Sequence, residues 1–212
     1  MRVLRNELRR IVTRVDWPAF RTDVITAGGL GCAGDLVCQS AVEGERLDWR
    51  RFMAVGTFES LYMGGLFHFL CQGFPQVVCA MGRQLPTSWL AGRLQTTSSA
   101  AHAVGCAVLD NIHDGALMIP SYFLCVGLLQ GDSLSDARTN LRAEWLNSYL
   151  VGAGFWGPVM TANFALVPPQ YRVRTMAMAN MVWSVAIDFM AHRSQPREVT
   201  EVRSDKLLIA RE

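Results

Sequence analysis

Charge is scarce in this sequence and missing from long stretches of it. Asp, Glu, Lys and Arg make up 18% of the 212 residues, against about 25% in an ordinary soluble domain. None of the four occurs from Ser60 to Gly82, from Leu94 to Leu109, from Gly115 to Gly131 or from Trp145 to Tyr171. Two of these runs exceed the roughly 20 residues that cross a bilayer, which argues against a soluble domain. Lysine is reduced to Lys206. Codon bias explains an all-arginine complement at least as well as bidentate recognition does. The formal net charge is only +2, and no long basic run lies beside aromatic residues, so no direct nucleic-acid partner is expected.

The patterns of metal, disulfide and catalytic chemistry are missing too. Cys32, Cys38, Cys71, Cys79, Cys106 and Cys125 lie in apolar stretches without a CxxC pair or a histidine at ligand spacing, and read as small buried hydrophobes. His68, His102 and His113 lack the i, i+4 histidine pairing of a zinc-protease helix, and read as satisfied buried histidines. Ser98, Ser99 and Ser121 lack the strand-turn-helix setting of a nucleophile, and no second acid is paired for hydrolysis. Gly29 to Gly34 spells a literal GxGxxG after the strand-like stretch Asp23 to Thr26. The further alternating strands and helices that a dinucleotide site requires do not follow. The expectation is a non-enzyme without catalytic, cofactor or metal site.

What the chain does have is apolar and helical. Half its residues are hydrophobic and the mean hydropathy is +0.18. Residues 1–21 open with MRVLRNELRRIVTRV, in which Leu4, Leu8, Ile11 and Val15 recur at helical spacing among arginines. That is a basic amphipathic helix, suited to an anionic membrane surface or to a mitochondrial address, with Glu7 atypical of a transit peptide. Trp17 and Pro18 mark an interfacial anchor and a new helix start.

Residues 22–193 predict a polytopic all-α membrane bundle of four or five segments, and 194–212 a polar tail. The first segment, Thr22 to Val42, repeats Asp23, Ala27, Gly31, Asp35 and Gln39 on one face, where small residues permit close helix contact. A second, Phe52 to Leu70, is expected to break or turn at Gly73, Phe74 and Pro75. A third, Thr97 to Gln130, is too long for one straight crossing and carries Pro120, which predicts a kink or break. Asp132 and Ser133 open a short interfacial helix. The fourth segment, Ser148 to Val167, holds Gly152, Gly154, Gly157 and Pro158 and is expected to be irregular. Pro168 and Pro169 end it, and a last segment runs from Arg174 to Ala191.

Asp35, Asp110 and Asp188 fall inside these segments, where an acid is costly and faces a partner or an aqueous path. Two readings stand side by side. Either the acids line a pathway, or they clamp helices together with Gln39, Asn111, Asn163 or an arginine at a segment end.

Three ordered motifs carry a family resemblance. ITAGGLGCAGDLVCQ ends in Gly34, Asp35 and Gln39 after a small-residue helix; VLDN holds Asp110 and Asn111; and FWGPVMTANFALVPPQYR places Trp156, Asn163, Phe164, Val167, Pro168, Tyr171 and Arg172 in order. Trp183 and Ala191-His192-Arg193 extend the match, so that it covers about Trp17 to Arg193. The chain thereby resembles the Mpv-seventeen and twenty-two-kilodalton peroxisomal membrane protein family. MGGLFHFL stands where that family has a Gly-Pro and His-x-Trp-Tyr pattern, and Met160 where it has Gln.

The resemblance implies an integral protein of the mitochondrial inner or the peroxisomal membrane, in contact with lipid and tied to passage of small metabolites. Its mitochondrial branch is tied to maintenance of mitochondrial DNA. The arginine-rich first helix favours mitochondria. Asp35, Gln39, Asp110, Asn111, Asn163 and Arg172 are the candidate pore-lining or helix-clamping residues. Gly28, Gly31, Gly34, Trp156 and Pro168 are the candidate packing positions. A non-transporting assembly factor, and partnership in a homo-oligomer or a larger membrane complex, stay open.

Overall fold

The computed structural model describes residues 15–193 except 45 and 87, with backbone only from 186 onward. The amphipathic segment expected at the amino end and the polar tail lie outside the described residues, as does the side chain of Asp188. Every regular element among the described residues is helical: α1 (Trp17–Val37), α2 (Trp49–Phe58), α3 (Phe67–Gln84), α4 (Trp89–Gln95), α5 (Ala100–His113), α6 (Ile119–Gln130), α7 (Leu134–Leu166) and α8 (Arg172–Arg193). The stretch from Asp23 to Thr26 and the whole GxGxxG run lie inside α1, so the strand-turn-helix that a dinucleotide site needs is not formed.

Helix starts follow from local chemistry. Asp16 accepts from the Ala19 amide at 3.2 Å with Pro18 in the first turn, where a proline costs no hydrogen bond. Asp48 accepts from the amides of Arg50 at 2.8 Å and Arg51 at 3.3 Å, satisfying two orphan donors of α2. Gly131 closes α6 at φ 104°, a left-handed conformation suited to glycine. The Asp132 amide then bonds back to the Gly127 carbonyl at 2.9 Å, and Ser133 caps α7 through the Asp136 amide at 3.2 Å.

The expected breaks are replaced by continuity. α2 runs into α3 through a π-helical stretch, Glu59–Leu66, and Pro75 sits inside α3. One hydrogen bond is lost there, but Cys71, Phe74, Val78 and Gly82 are buried around it and hold the helix against its neighbours. α5 joins α6 through a second π-helical turn, Asp114–Met118, so Pro120 arrives where the ladder is already loosened. α7 fuses the expected interfacial helix and the irregular fourth segment into one 33-residue helix containing Pro158. Gly154, one turn before that proline, has nothing within 4 Å of a side chain built on it. The turn displaced by the ring therefore meets no neighbour.

α1 packs against the π-helical stretch Glu59–Leu66, α2 and α8; α7 packs against α5 and α6; α3 carries α4 and α5. The core gathers Phe67, Phe74, Cys106, Trp156, Met160, Phe164 and Met176. Cys71 and Cys106 are buried as expected, but Cys125 is exposed, and none of the six cysteines is in a disulfide. Polarity runs in the opposite sense to a soluble protein. Asp23, Asp35, Gln39, Glu59, His68, Asp110, His113 and Asn163 are buried, while Ile25, Leu61, Ile112, Leu150, Leu166 and Val182 are exposed. Among the described residues one helical column, Ala100–Gln130, is both long and apolar enough by itself to cross a membrane.

Candidate functional site

Among the described residues, buried polar side chains tie helices together in at least four clusters. At one end, Asp23 of α1 accepts from Arg174 Nε of α8 at 3.0 Å and from His68 Nδ1 of α3 at 2.8 Å. Gln72 reaches the other ring nitrogen of His68 at 2.9 Å. An Nδ1–H tautomer, donating to Asp23 and accepting from Gln72, satisfies that network.

At the opposite end of α1, Asp35 accepts from Arg51 Nε at 2.7 Å and from Gln39 Nε2 at 2.6 Å. Gln39 also accepts the Asp48 amide at 2.5 Å, and Arg51 reaches Glu43 at 2.6 Å. Gln39 thus braces the loop between α1 and α2. Between the two ends, Glu59 accepts from Asn180 of α8 at 2.9 Å. The fourth cluster joins Tyr62 Oη to His113 Nε2 at 3.0 Å, with Asp110 and Asp114 beside the ring.

Glycines bring these elements into register. A side chain on Gly31 would meet Glu59 Cγ at 2.5 Å, one on Gly28 would run into Ser60, and one on Gly34 would meet Met181 Cγ at 3.3 Å. These three lie at close helix contacts and Trp156 is buried. Of the other packing candidate, Pro168, the structure shows an exposed residue at the end of α7. Arg172, a lining or clamping candidate, ties the start of α8 to the end of α7. It donates to the carbonyls of Val167 at 3.1 Å and Phe164 at 3.2 Å, where a cation also meets the helix dipole favourably. Asn163, also assigned to a lining or clamp from the motif, is buried and donates to the Arg172 carbonyl at 3.4 Å.

A cavity of about 570 Å³ lies between α1, α2, α5, α6, α7 and α8. Asp35 and Asn111 of the candidate set line it, whereas Gln39, Asp110, Asn163 and Arg172 do not. Four carboxylates (Asp35, Glu59, Asp114 and Glu144) face it against the single guanidinium of Arg51, with Asn147 and Asn180 nearby. Sequence reading missed Glu59, which lies at the edge of a charge-free run, and the partners Arg51, Asn180 and Arg174. Their roles depend on contacts between segments distant in the chain. Asp110, His113 and Asp114 were missed as a group as well, although their i, i+3 and i+4 spacing is a local signal of one helical face.

An all-helical bundle with ionisable groups inside and large apolar side chains outside is built for a lipid environment. The model of the Mpv17 / PMP22 family matches residues 127–187. Protein SYM1 of Mycosarcoma maydis is 26% identical over 89% of this chain and 92% of its own length. The mitochondrial inner membrane protein Mpv17 of Mus musculus is 24% identical over 82% and 91%, and that of Bos taurus 26% identical over 87% and 96%. No solved structure matches the chain. The chain is thus similar to proteins of the Mpv17 / PMP22 family over most of its length, and the mouse and cattle relatives are named for the mitochondrial inner membrane.

Proposed function

We propose that the protein is a polytopic, non-catalytic passage for small polar metabolites across the mitochondrial inner membrane. The link to mitochondrial DNA maintenance is then indirect, through the solutes supplied, with no nucleic acid bound. The carrying observation is the cavity of about 570 Å³, faced by the carboxylates of Asp35, Glu59, Asp114 and Glu144 and set among helices whose outer faces are apolar. Five columns would cross the bilayer: α1, α2 with α3, α5 with α6, α7 and α8. Only one passes a hydropathy test because the other columns carry inward-facing polar groups such as Asp23, Asp35 and Glu59, which lower a segment average without meeting lipid.

Full-length protein in liposomes tests this by solute efflux and by current across a planar bilayer. Gly152 lines the cavity, and a side chain there meets only Trp156 Cδ1 at 3.8 Å. Gly152→Phe is therefore expected to fold and to cut flux about tenfold or more, as a ring fills the lumen. Glu144→Gln removes one of the four lining carboxylates and should move the reversal potential away from cation preference. Wild-type protein that inserts but passes neither solute nor current, over a range of potentials, overturns the reading.

A second reading, a non-transporting assembly factor, is favoured by Gly154, whose surroundings in the fold are open. Exposed small residues on a membrane helix suit close approach by another helix. Native gels decide it: stable migration with a large complex, lost in Gly154→Leu while the monomer stays intact, supports the factor. Unchanged migration removes it.

A further inference from the structure

Asp110, His113 and Asp114 occupy one face where α5 passes into its π-helical turn, and one ligand atom from each lies within 4.8 Å of the other two. Asp110 is 2% exposed and His113 7%. Asp110 Oδ1 and His113 Nδ1 are buried without a hydrogen-bond partner. The latter lies 3.3 Å from Asp114 Oδ1 but outside hydrogen-bonding geometry. Unpartnered buried acceptors are costly, and two carboxylates one turn apart repel in a low-dielectric interior. A cation held between them removes both costs.

We propose that these three residues bind one divalent transition-metal cation, of the manganese, iron or zinc class, at the wall of the cavity. Two carboxylates and an imidazole form a mixed oxygen and nitrogen donor set suited to such ions. Metal-donor bonds of about 2.0–2.2 Å place donor atoms up to about 4.4 Å apart, so a rotamer adjustment of a few tenths of an ångström closes the set. Asp114 lines the cavity, which gives the ion an entry path, and three protein ligands leave coordination positions open to water.

The surroundings are arranged to orient the ligands. With Nδ1 on the metal, His113 presents Nε2–H to the Tyr62 hydroxyl 3.0 Å away, the outer-shell partner that fixes tautomer and ring plane. The turn carrying Asp114 is pinned by the Trp145 indole, whose Nε1–H donates to the Gly115 carbonyl at 2.8 Å.

The test uses the full chain in detergent, stripped with a chelator and titrated with Mn²⁺ while the free-ion paramagnetic resonance signal is followed. Manganese is a weak ligand of thiols, so the six cysteines do not compete. One saturable equivalent, displaced by Zn²⁺, is expected. His113→Gln, Asp110→Asn and Asp114→Asn should each weaken it at least tenfold, Tyr62→Phe about tenfold, and Glu144→Gln not at all. A wild-type signal that rises linearly from the first addition overturns the proposal whether or not any variant folds. So does saturable binding that survives both Asp114→Asn, at a partly exposed position, and His113→Gln. Binding is read without flux, so this inference and the transport reading fail separately.

Discussion

Asp23→Ala is expected to lower stability by about 3 kcal/mol, the lower end of the cost of removing one partner from a buried ion pair. The carboxylate is 3% exposed and holds both the guanidinium of Arg174 and the ring of His68. Its loss leaves His68, 5% exposed, with an unmatched nitrogen. Arg174 keeps about a third of its side-chain surface in contact with the surroundings, which moderates the penalty. Asp23→Asn keeps one oxygen for His68 or Arg174 and should cost about half as much. At about 2–4 °C per kcal/mol for a chain of this size, the alanine variant melts about 6–12 °C lower. A maleimide dye that becomes fluorescent on thiols measures this directly, since Cys71 and Cys106 are buried and react only on unfolding. An unchanged midpoint would show that the pair contributes nothing to the fold.

Gly64→Ala should be comparably damaging for a steric reason. A Cβ at Gly64 would lie 2.8 Å from the Asp23 carbonyl oxygen and 2.9 Å from the Val24 nitrogen. These are backbone atoms, which no rotamer change can move aside. α1 must retreat from the π-helical stretch, at a cost of about 3 kcal/mol, the upper end for overpacking. That retreat also draws Asp23 from His68 and Arg174, so the two substitutions should be strongly non-additive in a double-mutant cycle. Gly73→Ala is the control. Nothing lies within 4 Å of its added carbon, and relief of glycine's entropy in a helix should leave it neutral or more stable by about 0.5–1 kcal/mol. Additive effects of Gly64→Ala and Asp23→Ala would show that the contact and the ion pair are independent.

Much of the architecture is legible in the residues because helical spacing and charge-free runs are local properties. The face through Asp23, Ala27, Gly31, Asp35 and Gln39 is buried or packed as its four-residue spacing requires, and Pro168 with Pro169 ends a helix. Prolines at 75 and 158 misled for one reason: a proline costs a fixed local penalty, and long-range packing at Cys71, Phe74, Trp156 and Met160 outweighs it. At Asp35 the residues left lining and clamping open, and the structure places it both against Gln39 and Arg51 and on the cavity wall. Which arginine, and which acid meets Asn180, depended on how distant helices pair, and a single sequence carries no record of that.

The π-helical stretches at Cys38–Val42, Glu59–Leu66 and Asp114–Met118 bear on how this chain tolerates length changes. An α-helix advances about 100° per residue, and a π turn accommodates an extra residue while keeping the following turns in phase. Deleting one residue within Glu59–Leu66 would therefore regularise the helix and leave His68 and Phe74 facing inward, whereas the same deletion in a regular turn of α3 would rotate everything after it by that angle. The π-helical stretches are thus where this chain can lose a residue locally, and a deletion elsewhere in the same helices is a phase mutation whose damage reaches the whole helix.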